Sequence, residues 1–150
     1  MRSFENRKAR RLFHIEDEIE AGISLRGSEV KAVRMGRIDL SGSYATVEDG
    51  EVILREMHIG QYEADGHLDH KPKRPRKLLL HKDEIKKLTS RVCERGYTLI
   101  PLRVYFNNKG ILKVLLGLAR GKKKIEKKIE KRRKDEEREI SRIIKKELGS

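Results

Sequence analysis

The sequence predicts a mainly β protein, a small barrel of about six antiparallel strands with two to three short helices and a basic C-terminal tail. Three observations carry this expectation. Apolar and polar residues alternate at a period of two, most clearly where Ile100, Leu102, Val104 and Phe106 interleave with Pro101, Arg103 and Tyr105, as a strand with one face in a core requires. Asp49 with Gly50, and the run Asn107, Asn108, Lys109, Gly110, each separate two such segments and signal hairpins. Helical spacing is confined to short stretches between them.

Taken in order, the opening MRSFENRKARR is polar and basic and reads as an ordered arm or a frayed end, with Asn6, Arg7, Lys8, Arg10 and Arg11 presenting donors. Residues 12–25, LFHIEDEIEAGISL, suit a strand bent at the small pair Ala21 and Gly22. Residues 27–36 are bracketed by glycines and space Val30, Val33 and Arg34 for a helix of two turns. The 44–47 and 52–54 segments form the first hairpin. Residues 60–77 hold two of the three prolines and many turn formers, so a long basic loop is expected there. A strand at 78–80 precedes a helix in which Ile85, Leu88 and Val92 share a face, acids come first, and Arg95 and Gly96 close the C-terminus. Cys93 falls beside Val92 in that pattern and is expected to be a buried structural thiol. The segments 97–106 and 111–119 make the last hairpin, with Pro101 marking an edge or a bulge. Short hairpin-linked strands with inserted helices favour a partly closed barrel such as the OB-fold, a frequent oligonucleotide-binding scaffold.

Charge divides the chain into a body, residues 1–120, and a tail, residues 121–150. The body carries 24 basic against 17 acidic residues and the tail 13 against 7, so +6 of the +13 net charge sits in the last fifth. Such a surface attracts phosphate-rich partners with a steep dependence on salt. A surface rich in Lys, Glu and Arg also fits a thermophilic protein, though such surfaces tend to balance their signs. With one cysteine no internal disulfide can form, and no apolar run is long enough for a signal peptide or a membrane span, so a cytoplasmic protein is expected.

Few residues suggest catalysis or metal binding. His67, Asp69 and His70 could chelate, but no second cluster has zinc-site spacing, and no metal or cofactor is expected. Gly117, Gly121 and Lys122 imitate a phosphate-binding loop yet have three residues between the glycines and Lys123 where Ser or Thr is needed. The hydroxyls of Ser24, Ser28, Ser41 and Ser43 stand in no nucleophile-elbow sequence. RPRKLLLHK, residues 74–82, interleaves Arg74, Arg76, Lys77 and Lys82 with three leucines; it reads as a loop entering a buried strand, or as a phosphate-gripping rim beside an apolar shelf for an unstacked base. Aromatics are scarce, which favours recognition of backbone and shape over stacking.

Read together, NRKAR at 6–10, EAGI at 20–23, GSEVKAVRMGR at 27–37, SY at 43–44, RPRKLLLHK at 74–82 and LARGKKK at 118–124 resemble one family, SmpB, the tmRNA-binding proteins of bacterial trans-translation. The resemblance implies an OB-fold body, residues 1–120, that binds the tRNA-like domain of tmRNA, with a tail, 121–150, that is disordered free in solution and helical on the ribosome. It implies a monomeric adaptor rather than an enzyme, one that supports tmRNA alanylation by alanyl-tRNA synthetase and delivery with elongation factor Tu to stalled ribosomes. The alternative is a structural ribosomal or general RNA-binding protein. The implied RNA-facing residues are Asn6, Arg7, Lys8, Glu20, Leu79, Lys122 and Lys123, to which the basic rim adds Arg76 and Lys77. The implied ribosome-binding tail runs through Lys124, Ile125, Glu126, Lys127, Lys128, Lys131, Arg132 and Arg133, meeting the decoding centre and the emptied mRNA channel of the small subunit. Family members commonly carry an aromatic or His and then Asp-Lys-Arg after the GKK. Here Ile125, Glu126, Lys127 and Lys128 hold those places, which keeps the charge signs and removes the stacking ring. Further on, Ile140, Ile143, Ile144 and Leu148 fall at helical spacing.

Overall fold

The computed structural model describes residues 3–61, 63–64, 67–68, 70–93 and 96–121. Along the chain these form β1 (Ser3–Glu5), α1 (Arg7–Leu12), β2 (Phe13–Ile23), α2 (Gly27–Arg34), β3 (Ile38–Asp39), β4 (Tyr44–Glu48), β5 (Glu51–Arg55) and β6 (His58–Ile59). There follow β7 (Glu63–Ala64), β8 (His67–Leu68), β9 (Arg76–Leu79), α3 (Lys82–Val92), β10 (Tyr97–Phe106) and β11 (Leu112–Gly121).

Local chemistry accounts for the two main hairpins. Asp49 and Gly50 both take positive φ, 49° and 75°, the geometry whose twist matches paired strands, and β4 and β5 pair from Tyr44↔Arg55 to Glu48↔Glu51. The Asn107 side chain accepts from the backbone N–H of Lys109 and of Ile111, each at 2.9 Å, and organises the turn between β10 and β11. α3 begins where the Glu84 carboxylate accepts from the His81 N–H at 3.0 Å, with Asp83 and Glu84 in its first turn.

The long strands then close on themselves. β10, β11, β2, β9, β5 and β4 pair in that order, all antiparallel, and the Leu99↔Ala45 bridge between β10 and β4 completes the ring. β1 lies outside the ring on β10. Inside, Val52, Leu54, Met57, Leu78, Leu99, Val104, Val114 and Leu116 are fully enclosed, each Val or Leu contributing roughly 1.5–3 kcal/mol by leaving water.

Several expectations shift in detail. From Ser3 onward the arm takes the ordered form of the two expected, as β1 followed by a capped helix. β2 is not bulged at Ala21 and Gly22 but at Glu16, where Leu118↔Asp17 is followed by Ala119↔Ile15. Gly22 instead permits the crossing of β9, since a Cβ there would lie 3.1 Å from that of Leu79. Strand β9 starts at Arg76 rather than Leu78, and residues within the expected loop pair as β7 and β8. Pro101 does mark a bulge; the register of β10 on β11 slips between Pro101 and Arg103, and Leu102 settles over the open face of Gly117. Cys93, expected in the core, is exposed, because it follows the last helical residue and the packed face of α3 ends at Val92.

Candidate nucleic-acid interface

Register fixes which side chains share the outer surface of the barrel. On β2, β11 and β10 the row Glu20, Leu115, Arg103 and the adjacent row Gly22, Lys113, Tyr105 point away from the core that Ala21 and Val114 enter. Leu79 continues the second row on β9. Glu20 and Leu79, far apart in sequence, thus line one groove of about 460 Å³ together with Gly22, Ile111 and Lys113.

The chemistry of this face is specific. The Tyr105 hydroxyl donates to Glu20 Oε2, and the Arg103 guanidinium lies 4.5 Å from the Tyr105 ring centroid. Burial, and then its hydrogen bond to the Glu20 carboxylate, push the Tyr105 phenol up, so it remains a donor. Arg103 Nε is buried and has no hydrogen-bond partner among the described residues. A second cluster stands at the Glu16 bulge, where Tyr97 donates to Glu16 Oε2 and Arg120 lies 4.0 Å from the Tyr97 ring centroid.

The basic arm occupies the other end of β2. Helix α1 packs Ala9 on Ile100 and Ala119, which leaves Arg7, Lys8, Arg10 and Arg11 exposed. Arg10 approaches Glu5 and Glu18, each at 3.9 Å. Gly121, the last described residue, pairs with Phe13, directly after α1. From there to Glu20 is roughly 23 Å along β2 at the usual strand rise.

Two of the RNA-facing candidates are not on the surface. Asn6 is buried: its Oδ1 accepts from the Ala9 N–H at 3.2 Å and caps α1, while its Nδ2 donates to Pro101 O at 2.9 Å and Leu40 O at 3.3 Å. Its side chain is thus engaged within the protein, where it caps the helix that carries Arg7 and Lys8. Asn6→Ala is therefore expected to cost about 1–3 kcal/mol by thermal unfolding, whereas Arg7→Ala with Lys8→Ala leaves the melting temperature unchanged and weakens RNA binding.

Arg76 is 0% exposed, as is its partner Glu29 on α2. Arg76 Nε donates to Glu29 Oε2, and its other nitrogens donate to Met57 O at 2.7 Å and Pro72 O at 3.0 Å. Arg74 and the Arg26 N–H both reach Glu29 Oε1. Burial alone would raise the Glu29 carboxyl, but these donors outweigh it and hold the group below the usual carboxylate range. Within the RPRK stretch, Arg76 is thus a core ion and faces no phosphate, while Lys77 is exposed and lies 3.0 Å from Glu51.

His70 is structural as well. Its Nε2 faces the carbonyls of Ile59 and Gly60 at 3.1 and 3.0 Å, so Nε2 carries the proton and Nδ1 accepts from the Ser28 hydroxyl at 3.0 Å. That leaves no lone pair for a metal. Among the described residues no cluster of His, Cys, Asp and Glu could hold one, and no helix is long and apolar enough to cross a membrane. The Asp69 position, the His67 side chain and the tail candidates Lys122, Lys123, Lys124, Ile125, Glu126, Lys127, Lys128, Lys131, Arg132 and Arg133 lie outside the described residues.

Comparison with known proteins decides the family. The SmpB protein family model matches residues 3–146, barrel and tail together. The chain belongs to the SmpB family. Among its relatives, the SsrA-binding protein of Moorella thermoacetica is 48% identical over 94% of this chain and 91% of its own length. Those of Staphylococcus carnosus and Thermus thermophilus are 50% and 47% identical, over 94% and 96% of this chain and 90% and 96% of their own. A solved chain from a study titled "tmRNA-SmpB: a journey to the center of the bacterial ribosome" is 50% identical and superposes with a TM-score of 0.68, covering 80% of this chain and 84% of that one. Within this member of the SmpB family, GSEVKAVRMGR and RPRKLLLHK supply the two halves of the Glu29, Arg74 and Arg76 network.

Proposed function

We propose that this protein binds the tRNA-like domain of tmRNA and brings it to stalled ribosomes in trans-translation, as an adaptor without a catalytic step of its own. The observation that carries the reading is the SmpB family match, which runs through both barrel and tail. The barrel offers exposed cations at Arg7 and Lys8 on α1 and a groove holding Glu20 and Leu79. Cations supply affinity without sequence, whereas a carboxylate accepts from base edges or 2′-hydroxyls and fixes register. Lys122 and Lys123 extend the basic surface, and the tail from Lys124 through Arg133 engages the small subunit by its decoding centre and mRNA channel. Delivery with elongation factor Tu and support of alanylation by alanyl-tRNA synthetase follow from the same docking, by a cytoplasmic monomer.

The test is affinity for a transcript of the tRNA-like domain at two salt concentrations, beside a duplex RNA of equal length. The transcript is expected to win at both, with affinity falling as salt rises. Glu20→Ala is expected to weaken transcript binding by about tenfold with an unchanged melting temperature. A collapse in melting temperature would make Glu20 a structural residue, and equal affinity for the duplex would favour a general RNA-binding protein.

A further inference from the structure

We infer that the groove between Leu79 and Ile111 takes one extruded guanine of the bound RNA, its ring held between the two aliphatic side chains and its N1 and N2 donors on the Glu20 carboxylate. The inference rests on the RNA-binding reading above and adds to it the identity of the base and the role of Ile111.

Leu79 is 51% and Ile111 52% exposed, and both border the same groove. Leaving two large aliphatic side chains in water adds nothing to folding, and paired exposure of this kind marks a contact surface. Leu79 lies close over Gly22, where an added Cβ would come 3.1 Å from the Leu79 Cβ. The Ile111 backbone is held on both sides, its N–H donating to Asn107 Oδ1 and its carbonyl accepting from the Asn107 N–H, each at 2.9 Å. Two exposed aliphatic side chains on one groove suit a flat ring with apolar faces and a polar edge.

The polar groups choose the ring. Two carboxylates line the groove, and Glu84 already accepts from the His81 N–H at the start of α3. Glu20 is held by the Tyr105 hydroxyl through Oε2, which leaves Oε1 and a second lone pair on Oε2 to accept. An ionised carboxylate only accepts, so it favours an edge with adjacent donors. Guanine offers N1–H beside the N2 amino group. Cytosine and adenine set one amino group beside a ring nitrogen acceptor, and uracil sets one N–H between two carbonyls. The guanine edge is free only in an unpaired, splayed nucleotide. Lys113, directly across the strand pair from Gly22, supplies the cation for that nucleotide's phosphate.

The experiment uses transcripts of the tRNA-like domain in which unpaired guanines are replaced one at a time by inosine, which keeps N1–H and lacks the N2 amino group, with binding read by fluorescence anisotropy. One replacement is expected to weaken binding to the unaltered protein by about tenfold, and to carry no further penalty with Glu20→Gln. Ile111→Ala is expected to weaken binding of the parent transcript by about fivefold at an unchanged melting temperature. If every inosine transcript binds as the parent does, or the penalty persists in Glu20→Gln, the guanine assignment is overturned while the RNA-binding reading stands. Failure of the unaltered protein to bind the parent transcript overturns both.

Discussion

Glu29→Ala is expected to destabilise the protein by about 3–5 kcal/mol, because it leaves the Arg76 guanidinium charged and fully enclosed without its counter-ion. For a barrel of this size that is a fall in melting temperature of roughly 10–20 °C, measurable by circular dichroism. The penalty belongs to the orphaned charge more than to the lost attraction. Adding Arg76→Met to Glu29→Ala is accordingly expected to recover stability, and a double variant as unstable as the sum of the two singles would overturn this account. The pH dependence carries the same signature. The folded pKa of Glu29 lies below its usual 4.5, so the unfolded chain binds the proton more readily. Its contribution is complete above that usual value and is lost as pH falls through the lower folded value. Glu29→Gln is expected to flatten this acid limb of the stability profile.

Removal of residues 125–150 is expected to leave affinity for the tRNA-like domain within about twofold while abolishing peptide tagging on stalled ribosomes. The barrel candidates Arg7, Lys8, Glu20, Leu79 and Lys77 all precede Gly121, and Lys122 and Lys123 are retained. The deleted segment carries ten of the 37 basic residues and 7 of the 24 acidic ones, and ribosomal RNA phosphates would neutralise its cations. Affinity and in vitro tagging measured on the same preparation check the division of labour. Equal loss of both would show that barrel and tail act as one binding unit.

Much of the fold was legible because its signals are local. Asp49 with Gly50 can hardly be read as anything but a tight turn, and the acids and the apolar face of α3 mark its start and its buried side within a dozen residues. Glu20 and Leu79 were named from the family resemblance, and the structure brings them to one groove. Ile111 reads in the sequence only as the first residue of a strand after a turn, and the structure places it on the same groove as the exposed Leu79.

The sequence by itself determined the class of the protein: short alternating segments joined by turns, a basic surface weighted toward the tail, and six motif blocks in family order. Only the tertiary structure decided what the cations in those blocks do. Arg76 and Lys77 are neighbours with the same formal charge, yet β9 turns the first inward to Glu29, 47 residues away, and the second outward to solvent. A one-residue step along a strand reverses the side on which a side chain lies, and the Glu29 that makes an inward arginine tolerable arrives from helix α2. The same holds for Asn6, whose amide is consumed by Pro101 and Leu40, and for Cys93, which the end of α3 leaves in water. Whether a polar group meets RNA or the core depends on partners distant in sequence, and those partners come together only when the barrel closes.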